Sequence, residues 1–344
     1  MTNDIDYTAE YDNSGRVENS DDLVSQYILD SALYRETSQE PDPPLLDADV
    51  VYGAAPRNQL DLFWPETGRD CPIVMFIHGG YWQRLDRTAF SHMASGLNAR
   101  GIAVAIPSYT LCPDASIADI INEMRRACVL LHKTHDRKLV VIGHSAGGHL
   151  AACMLATDWH ALSNQLPDDL VTAGVGLSGI YQLAPLIHTP INIALKLDQS
   201  AAQESSPYFW MPDGLQQFDA WVGEEESSEF HRQSRELAEQ WSMLGTPTRY
   251  VSRPGANHFT IIEDLADPNS TLVDRIVALV EEPLSQDRAL PIDEEAVAEQ
   301  AQDLRALASS DDGDEDNETK EDETASGEEA KGDDDIAGLE DQTA

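Results

Sequence analysis

Lysine is scarce in this chain. The first 290 residues hold three, Lys133, Lys138 and Lys196, against sixteen arginines, and the 344 residues together carry a formal net charge of -40. So few cations on so acidic a protein argue against nucleic acid, whose phosphates need Lys and Arg. They argue equally against an anionic membrane surface. The acidity reads first as a solubility device and second as a sign of a salty habitat. Cysteine is also sparse. Cys71, Cys112, Cys128 and Cys153 show no CxxC spacing, and each lies in or beside an apolar run. They read as reduced core residues, which excludes a disulfide framework and a zinc knuckle. No apolar run reaches the roughly 18 residues that a membrane helix requires. The opening MTNDIDYTAEYDNSGRVENSDD has neither a basic n-region nor an apolar h-region, so no signal peptide is expected and the cytoplasm is the expected compartment. The ten histidines form no metal-binding pattern, and neither a metal nor an organic cofactor is expected.

The chain does have a hydrophobic fraction of 41%, enough for a large core. Residues 1–45 read as an N-terminal arm with one helix, SDDLVSQYILDSALYRET, with Ser20 as N-cap and Leu23, Tyr27, Ile28, Leu33 and Tyr34 as a loose apolar stripe. DVVYG and NQLDLFWP read as a hairpin. From PIVMFIHGG onward, strands alternate with helices: RTAFSHMASGLNARG, closed by Gly101, is the first helix, and STLVDRIVALVEEPL the last. This alternation implies a mostly parallel sheet with helices on both faces, occupying residues 46–290. Residues 182–216 break the rhythm with prolines and aromatics and read as a cap-like insertion over a cleft. Residues 291–344 hold 21 acidic and 3 basic side chains and almost no large apolar ones, the composition of a disordered tail. Solubility is the expected role of that tail.

The motif with the most chemistry is Gly143-His144-Ser145-Ala146-Gly147, set between an apolar strand and a helix. A sharp strand-to-helix turn needs small neighbours and lifts the serine hydroxyl above the sheet. Ser178 in GLSGI also follows a strand, but it lacks this spacing and reads as backbone packing. FIHGGYW ends an earlier strand. Gly79 and Gly80 free the backbone to turn N–H groups inward, so Gly80 and Ala146, with Tyr81 as a third donor, are candidates to hold an oxyanion. His78 reads as a structural or orienting histidine. A serine needs a base, and the base needs an acid that orients it. His258, in ANHF after the last strand, is the candidate base. The acid should follow the strand FDAWVG, among Glu224, Glu225 and Glu226, with Glu229 stabilising the start of the next helix.

Taken together, AEYDNSGRV, YGAAPRNQLDLFWP, HGGYWQ, GHSAGGHL, GIYQLAPLIHTPIN, VGEEESSEFHRQS and NHF resemble the animal-type kynurenine formamidases of the α/β-hydrolase superfamily, over roughly residues 8–265. The resemblance places the acid at Glu226, with Glu225 as the fallback; many family members have Asp there. It implies an α/β-hydrolase fold, a small-molecule substrate and hydrolysis of N-formyl-L-kynurenine to L-kynurenine and formate in tryptophan degradation. Tyr81, Trp82, Tyr181, Phe209 and Trp210 are candidates for the aryl pocket. Two other readings stand beside this one. A broad carboxylesterase acting on small aryl esters would share the site, although HGGYW in place of the esterases' usual HGGG favours the formamidase. A non-catalytic hydrolase-fold binding protein would show a broken triad, whereas Ser145, Glu226 and His258 are all present. The sequence leaves monomer and homodimer both open.

Overall fold

The computed structural model describes residues 5–212 and 216–281. Eight strands form one sheet in the order β1-β2-β4-β3-β5-β6-β7-β8. They are β1 (Leu46–Val51), β2 (Gln59–Phe63), β3 (Ile73–Ile77), β4 (Ala103–Pro107), β5 (Leu139–His144), β6 (Val171–Leu177), β7 (Gln217–Gly223) and β8 (Thr248–Arg253). The hairpin β1-β2 joins β4 antiparallel, and every other pairing is parallel. The architecture is an α/β-hydrolase fold.

Parallel strands covered on both faces become apolar on both. β3 shows this, because side chains alternate between faces along a strand. Ile73, Met75 and Ile77 enter one core, and Val74 and Phe76 the other. On the first face pack three helices, here α2 (Ile117–His135), α3 (Ala146–Leu155) and α4 (Ser228–Met243), through residues such as Met124, Leu150 and Trp241. The second face is covered by α1 (Ser20–Gln39) and α5 (Thr271–Glu281), with Phe90 and Met93 between them.

Three local expectations need correction. The segment after Asp86 is a 3-10 helix over Arg87–Ala94 followed by a short α-helix, Ser95–Ala99; Gly101 does close it, at φ 80°. The helix α1 begins at Ser20, but its N-cap is Asn19, and the Ser20 hydroxyl donates to Ser14 O instead. Its inner face keeps Leu23, Tyr27 and Tyr34 of the expected stripe but not Ile28 or Leu33. Ile28 and Leu33 are 50% and 61% exposed. Polar bonds select the packed face. Tyr27 donates to Phe259 O, Ser31 pairs with His92 at 2.8 Å, and Tyr34 donates to Asn98 at 2.6 Å. Small serines at 31 and 38 let the helix approach closely, a choice that hydrophobicity does not encode.

Under α1 a charge network is sealed. The carboxylate of Asp61, wholly buried on β2, meets Arg35 and lies 3.1 Å from Arg87, and it also accepts from Asp49 N. Removing one member of such a buried set strands the others. Asp61→Ala should therefore lose about 3 kcal/mol of stability, the low end of the usual range because Asp49 and Asp86 still face Arg87. Urea unfolding of variant and parent would measure this; an unchanged midpoint would contradict it.

Candidate active site

The C-terminal ends of β3, β5, β6, β7 and β8 lie in consecutive order on one edge of the sheet, where crevices of parallel sheets bind ligands. β5 runs directly into Ser145, which holds φ 55° and ψ -119° before α3 begins. A non-glycine residue keeps this conformation only where its surroundings impose it. Ser145 N donates to Leu177 O at 2.8 Å, which extends the β5-β6 ladder by one bond. The flanking glycines are required by contact. A Cβ on Gly143 would lie 2.0 Å from Gly147 O, and one on Gly147 would lie 1.9 Å from Ile77 O.

β3 ends beside this turn. A Cβ on Gly79 would come within 2.9 Å of Ser145 Cβ, so the backbone after His78 lies against the serine. Gly80, Tyr81 and Trp82 all have positive φ. Among the described residues, the N–H groups of Gly80, Tyr81 and Ala146 have no backbone acceptor. His78 is fully buried, stacked on Tyr109 with ring centroids 4.5 Å apart, and its Nδ1 faces Gly79 O. Burial pushes its pKa down to about 4, so it is a neutral structural ring.

The carboxylate that meets His258 belongs to Glu226, not Glu225. Glu226 Oε2 lies 2.7 Å from His258 Nδ1, and Oε1 accepts from Gly223 N at 2.7 Å. Glu225 is exposed, and Glu224 accepts from Gly255 N. The same Glu226 Oε1 accepts from the hydroxyl of Ser178 at 2.5 Å. The reading of Ser178 as mere backbone packing is therefore corrected: this buried serine, one residue beyond β6, orients the carboxylate. The signal was its place next to the elbow strand, and that is visible only once strand order is known. Glu229 is likewise more than a helix-end charge. It is 2% exposed and binds Arg232 through both oxygens while accepting from Tyr11.

His144 adds a link that the motif alone did not indicate. Its Nε2 donates to His258 O at 2.8 Å, tying the elbow to the histidine loop, and the two rings lie 4.7 Å apart. Burial first, and then the proximity of His258, holds the pKa of His144 well below the ordinary value, so it stays neutral. Ser145 and His258 line one cavity without a hydrogen bond closing between them, a contact that tightens in many enzymes only when substrate is bound.

That cavity measures about 660 Å³. Of the five aromatic residues expected to wall it, only Tyr81 does. Trp82 and Tyr181 are wholly buried core residues, against His149 and Phe218 respectively. Phe209 is 40% exposed, and Trp210 sits under Arg125 with its indole N–H on Glu204 O. The walls come instead from Tyr11 and Asn13 of the arm, Val24 and Tyr27 of α1, Phe90, Ile191 and Phe259. The arm is held there because Tyr81 donates to Tyr11 O at 2.6 Å and accepts from Asn13. The segment expected to form a cap, residues 182–216, contributes Thr189, Pro190 and Ile191. Among the described residues, no group of three or more His, Cys, Asp or Glu is placed to hold a metal ion, and no helix is long and apolar enough to cross a membrane. The four cysteines are free and buried. The expected tail, residues 291–344, lies outside the described residues.

Fold and elbow define a hydrolase of the α/β-hydrolase superfamily. A family model described as BD-FAE matches residues 60–185. The kynurenine formamidases of Danio rerio and Salmo salar are each 29% identical to this chain, over 76% of its length and 90% of theirs. A crystal structure from Silicibacter sp., which carries a provisional thioesterase label, is 33% identical with a TM-score of 0.72, covering 80% of this chain and 100% of its own. The chain belongs to the α/β-hydrolase superfamily and resembles its kynurenine formamidases.

Two outcomes follow. Ser178→Ala removes a hydrogen bond to a charged group, worth about 1.5–3 kcal/mol. It should lower kcat/KM on p-nitrophenyl acetate about tenfold or more while leaving the circular dichroism spectrum unchanged. His149, on α3, is fully buried with Nε2 on Ser205 O, and burial pushes it down to about 4 from an unfolded value near 6.5. A histidine depressed in this way stabilises the fold fully above its unfolded pKa, and that stability is lost as pH falls toward the folded value. His149→Gln removes this loss. The stability gap between parent and variant should therefore narrow by about 2 kcal/mol between pH 6.5 and pH 5, measured by paired urea titrations.

Proposed function

We propose that this protein hydrolyses the formyl amide of N-formyl-L-kynurenine, releasing L-kynurenine and formate, with Ser145, His258 and Glu226 as its catalytic residues. The observation that carries the reading is the Glu226 carboxylate, held by Gly223 N and Ser178 and bonded to His258 Nδ1 beside the cavity that Ser145 lines. With Nδ1–H directed at the carboxylate, His258 Nε2 is left free to accept a proton. Ser145 Oγ attacks the formyl carbon as His258 Nε2 takes its proton. The N–H groups of Ala146 and Gly80, with Tyr81 as a third donor, hold the oxyanion, aided by the N-terminus of α3. His258, now an imidazolium stabilised by Glu226, protonates the aryl nitrogen as the C–N bond breaks. Water then attacks the formyl-serine, giving its proton to His258, and formate leaves as Ser145 is reprotonated. A formyl group needs little space, so the bulk of the cavity serves the aryl leaving group. The kinship to the formamidases of fish supports this substrate.

A second reading, an esterase for small aryl esters, draws on the thioesterase label of the Silicibacter relative. Turnover of N-formyl-L-kynurenine beside p-nitrophenyl acetate separates the two. The formamidase reading expects strong preference for the formyl amide, with Ser145→Ala reducing kcat by at least about 10⁴-fold and Glu226→Ala by about 10³- to 10⁴-fold. Fast ester cleavage with negligible amide turnover would favour the esterase. No turnover of either, with no labelling of Ser145 by a phosphonate, would leave a binding protein.

A further inference from the structure

Arg84 is the one lysine or arginine among the residues lining the Ser145 cavity. Its guanidinium makes no ion pair or hydrogen bond among the described residues. The exposed Arg235 and Arg249 also lack an ion pair, but neither lines this cavity; other arginines take up the abundant acids. Arg232 lies between Glu229 and Glu236, Arg275 on Asp219, and Arg253 on Asp264. An acid-rich protein that leaves one cavity cation unpaired keeps it available to an incoming anion.

The position of Arg84 is well defined. Its backbone N–H and that of Gln83 both donate to Gly80 O, at 3.1 and 3.0 Å, so Arg84 closes the tight turn that carries the Gly80 and Tyr81 N–H groups. The Gln83 side chain donates to Ile191 O at 3.1 Å, and Arg57 holds Leu85 O at 2.7 Å, which fixes the turn from both sides. The arm contributes Asp12 to the same lining, where its carboxylate also accepts from Gly15 N at 2.9 Å. The Tyr81 phenol lies in the field of both charges. Burial and Glu226 raise its pKa, Arg84 opposes them, and Asp12 adds to the rise. The cavity thus has an aromatic and aliphatic body with one arginine, Arg84, and two aspartates, Asp12 and Asp21, in its lining, of which Arg84 and Asp12 act on Tyr81.

A zwitterionic α-amino acid with an aryl side chain has the complementary pattern. We propose that Arg84 is a specificity-determining residue that binds the α-carboxylate of an amino-acid substrate, with Asp12 facing its α-ammonium group. The guanidinium fork matches a carboxylate in a bidentate pair, which an ammonium point charge does not. This inference rests on the formamidase reading and deepens it. The reading fixes the bond that breaks, and Arg84 selects which formyl arylamines are held for that step. Binding made equally in ground and transition states changes KM rather than kcat.

The test uses full-length protein, as parent, Arg84→Gln and Arg84→Lys, with N-formyl-L-kynurenine and its decarboxylated amine analogue as substrates. Arg84→Gln should raise KM for the amino acid about 10- to 100-fold, the range of a lost charge-assisted hydrogen bond, with kcat within about threefold. The decarboxylated analogue should be cleaved by parent and Arg84→Gln within about twofold of each other, and Arg84→Lys should recover part of the amino-acid KM. Equal losses on both substrates would show that the substitution acts through the oxyanion turn, and no change on either would show that the cation is not used; each overturns the inference while parent activity on the amino acid keeps the formamidase reading. If the parent cleaves p-nitrophenyl acetate but neither formamide, the formamidase reading falls and this inference with it.

Discussion

The buried carboxylate of Glu226 is the point where three strand ends become one site. It receives the Gly223 N–H at the end of β7, the Ser178 hydroxyl just past β6 and His258 Nδ1 from the loop after β8. In a low-dielectric setting a carboxylate is tolerable only when its lone pairs are met, so each donor is held by the cost of leaving the others. The backbone there has no slack. A Cβ on Gly223 would approach Ala256 O to 2.5 Å, while Glu224 N and Glu225 N bond Arg253 O and Ala256 O. The acid loop and the histidine loop are therefore one structure, and His144 joins the serine elbow to it through His258 O.

The N-terminal arm extends the same logic to the other side of the cavity. Glu10 accepts from Ser228 Oγ and Glu229 N, which satisfies donors at the start of α4, directly after the acid loop. Tyr11 donates to Glu229 and, through its carbonyl, receives the Tyr81 hydroxyl. A segment that precedes the first strand thus bridges the acid loop and the turn of Gly80 and Tyr81. The cavity wall and the placing of the Gly80–Tyr81 turn depend on it as much as on the sheet.

The acidity of the chain takes on structural meaning here. Several buried carboxylates in the body have specific arginine partners: Asp61 with Arg35 and Arg87, Asp219 with Arg275, Glu229 with Arg232. Replacing lysine by arginine suits this use, because a planar fork satisfies two carboxylate oxygens at once. Against that background the neutral His144 beside Ser145 leaves Arg84, Asp12 and Asp21 as the charged side chains in the cavity lining apart from His258.

Much of the protein is determined by local sequence. The strand-to-helix turn at Ser145 is one, because a Cβ on Gly143 would meet Gly147 O four residues on, although Gly147 is required also by Ile77 O of β3. The strand and helix order is another, because apolar periodicity follows from which faces are buried. The β3 turn at His78–Gly80 and the free, buried cysteines belong to the same class. Other features were decided only by the tertiary structure. The choice of Glu226 over Glu225 depends on which carboxylate points at a histidine 32 residues away, and the role of Ser178 depends on β6 lying between β5 and β7. The aromatic residues offered with the resemblance for the aryl pocket, Trp82, Tyr181, Phe209 and Trp210, lie outside the cavity lining, because an aromatic side chain gains as much from the core as from a cavity wall. The walls came from Tyr11, Asn13 and Tyr27, on an arm and helix whose docking rests on hydrogen bonds to residues far along the chain. Such long-range pairings leave no period or spacing in the sequence, and so only the folded chain displays them.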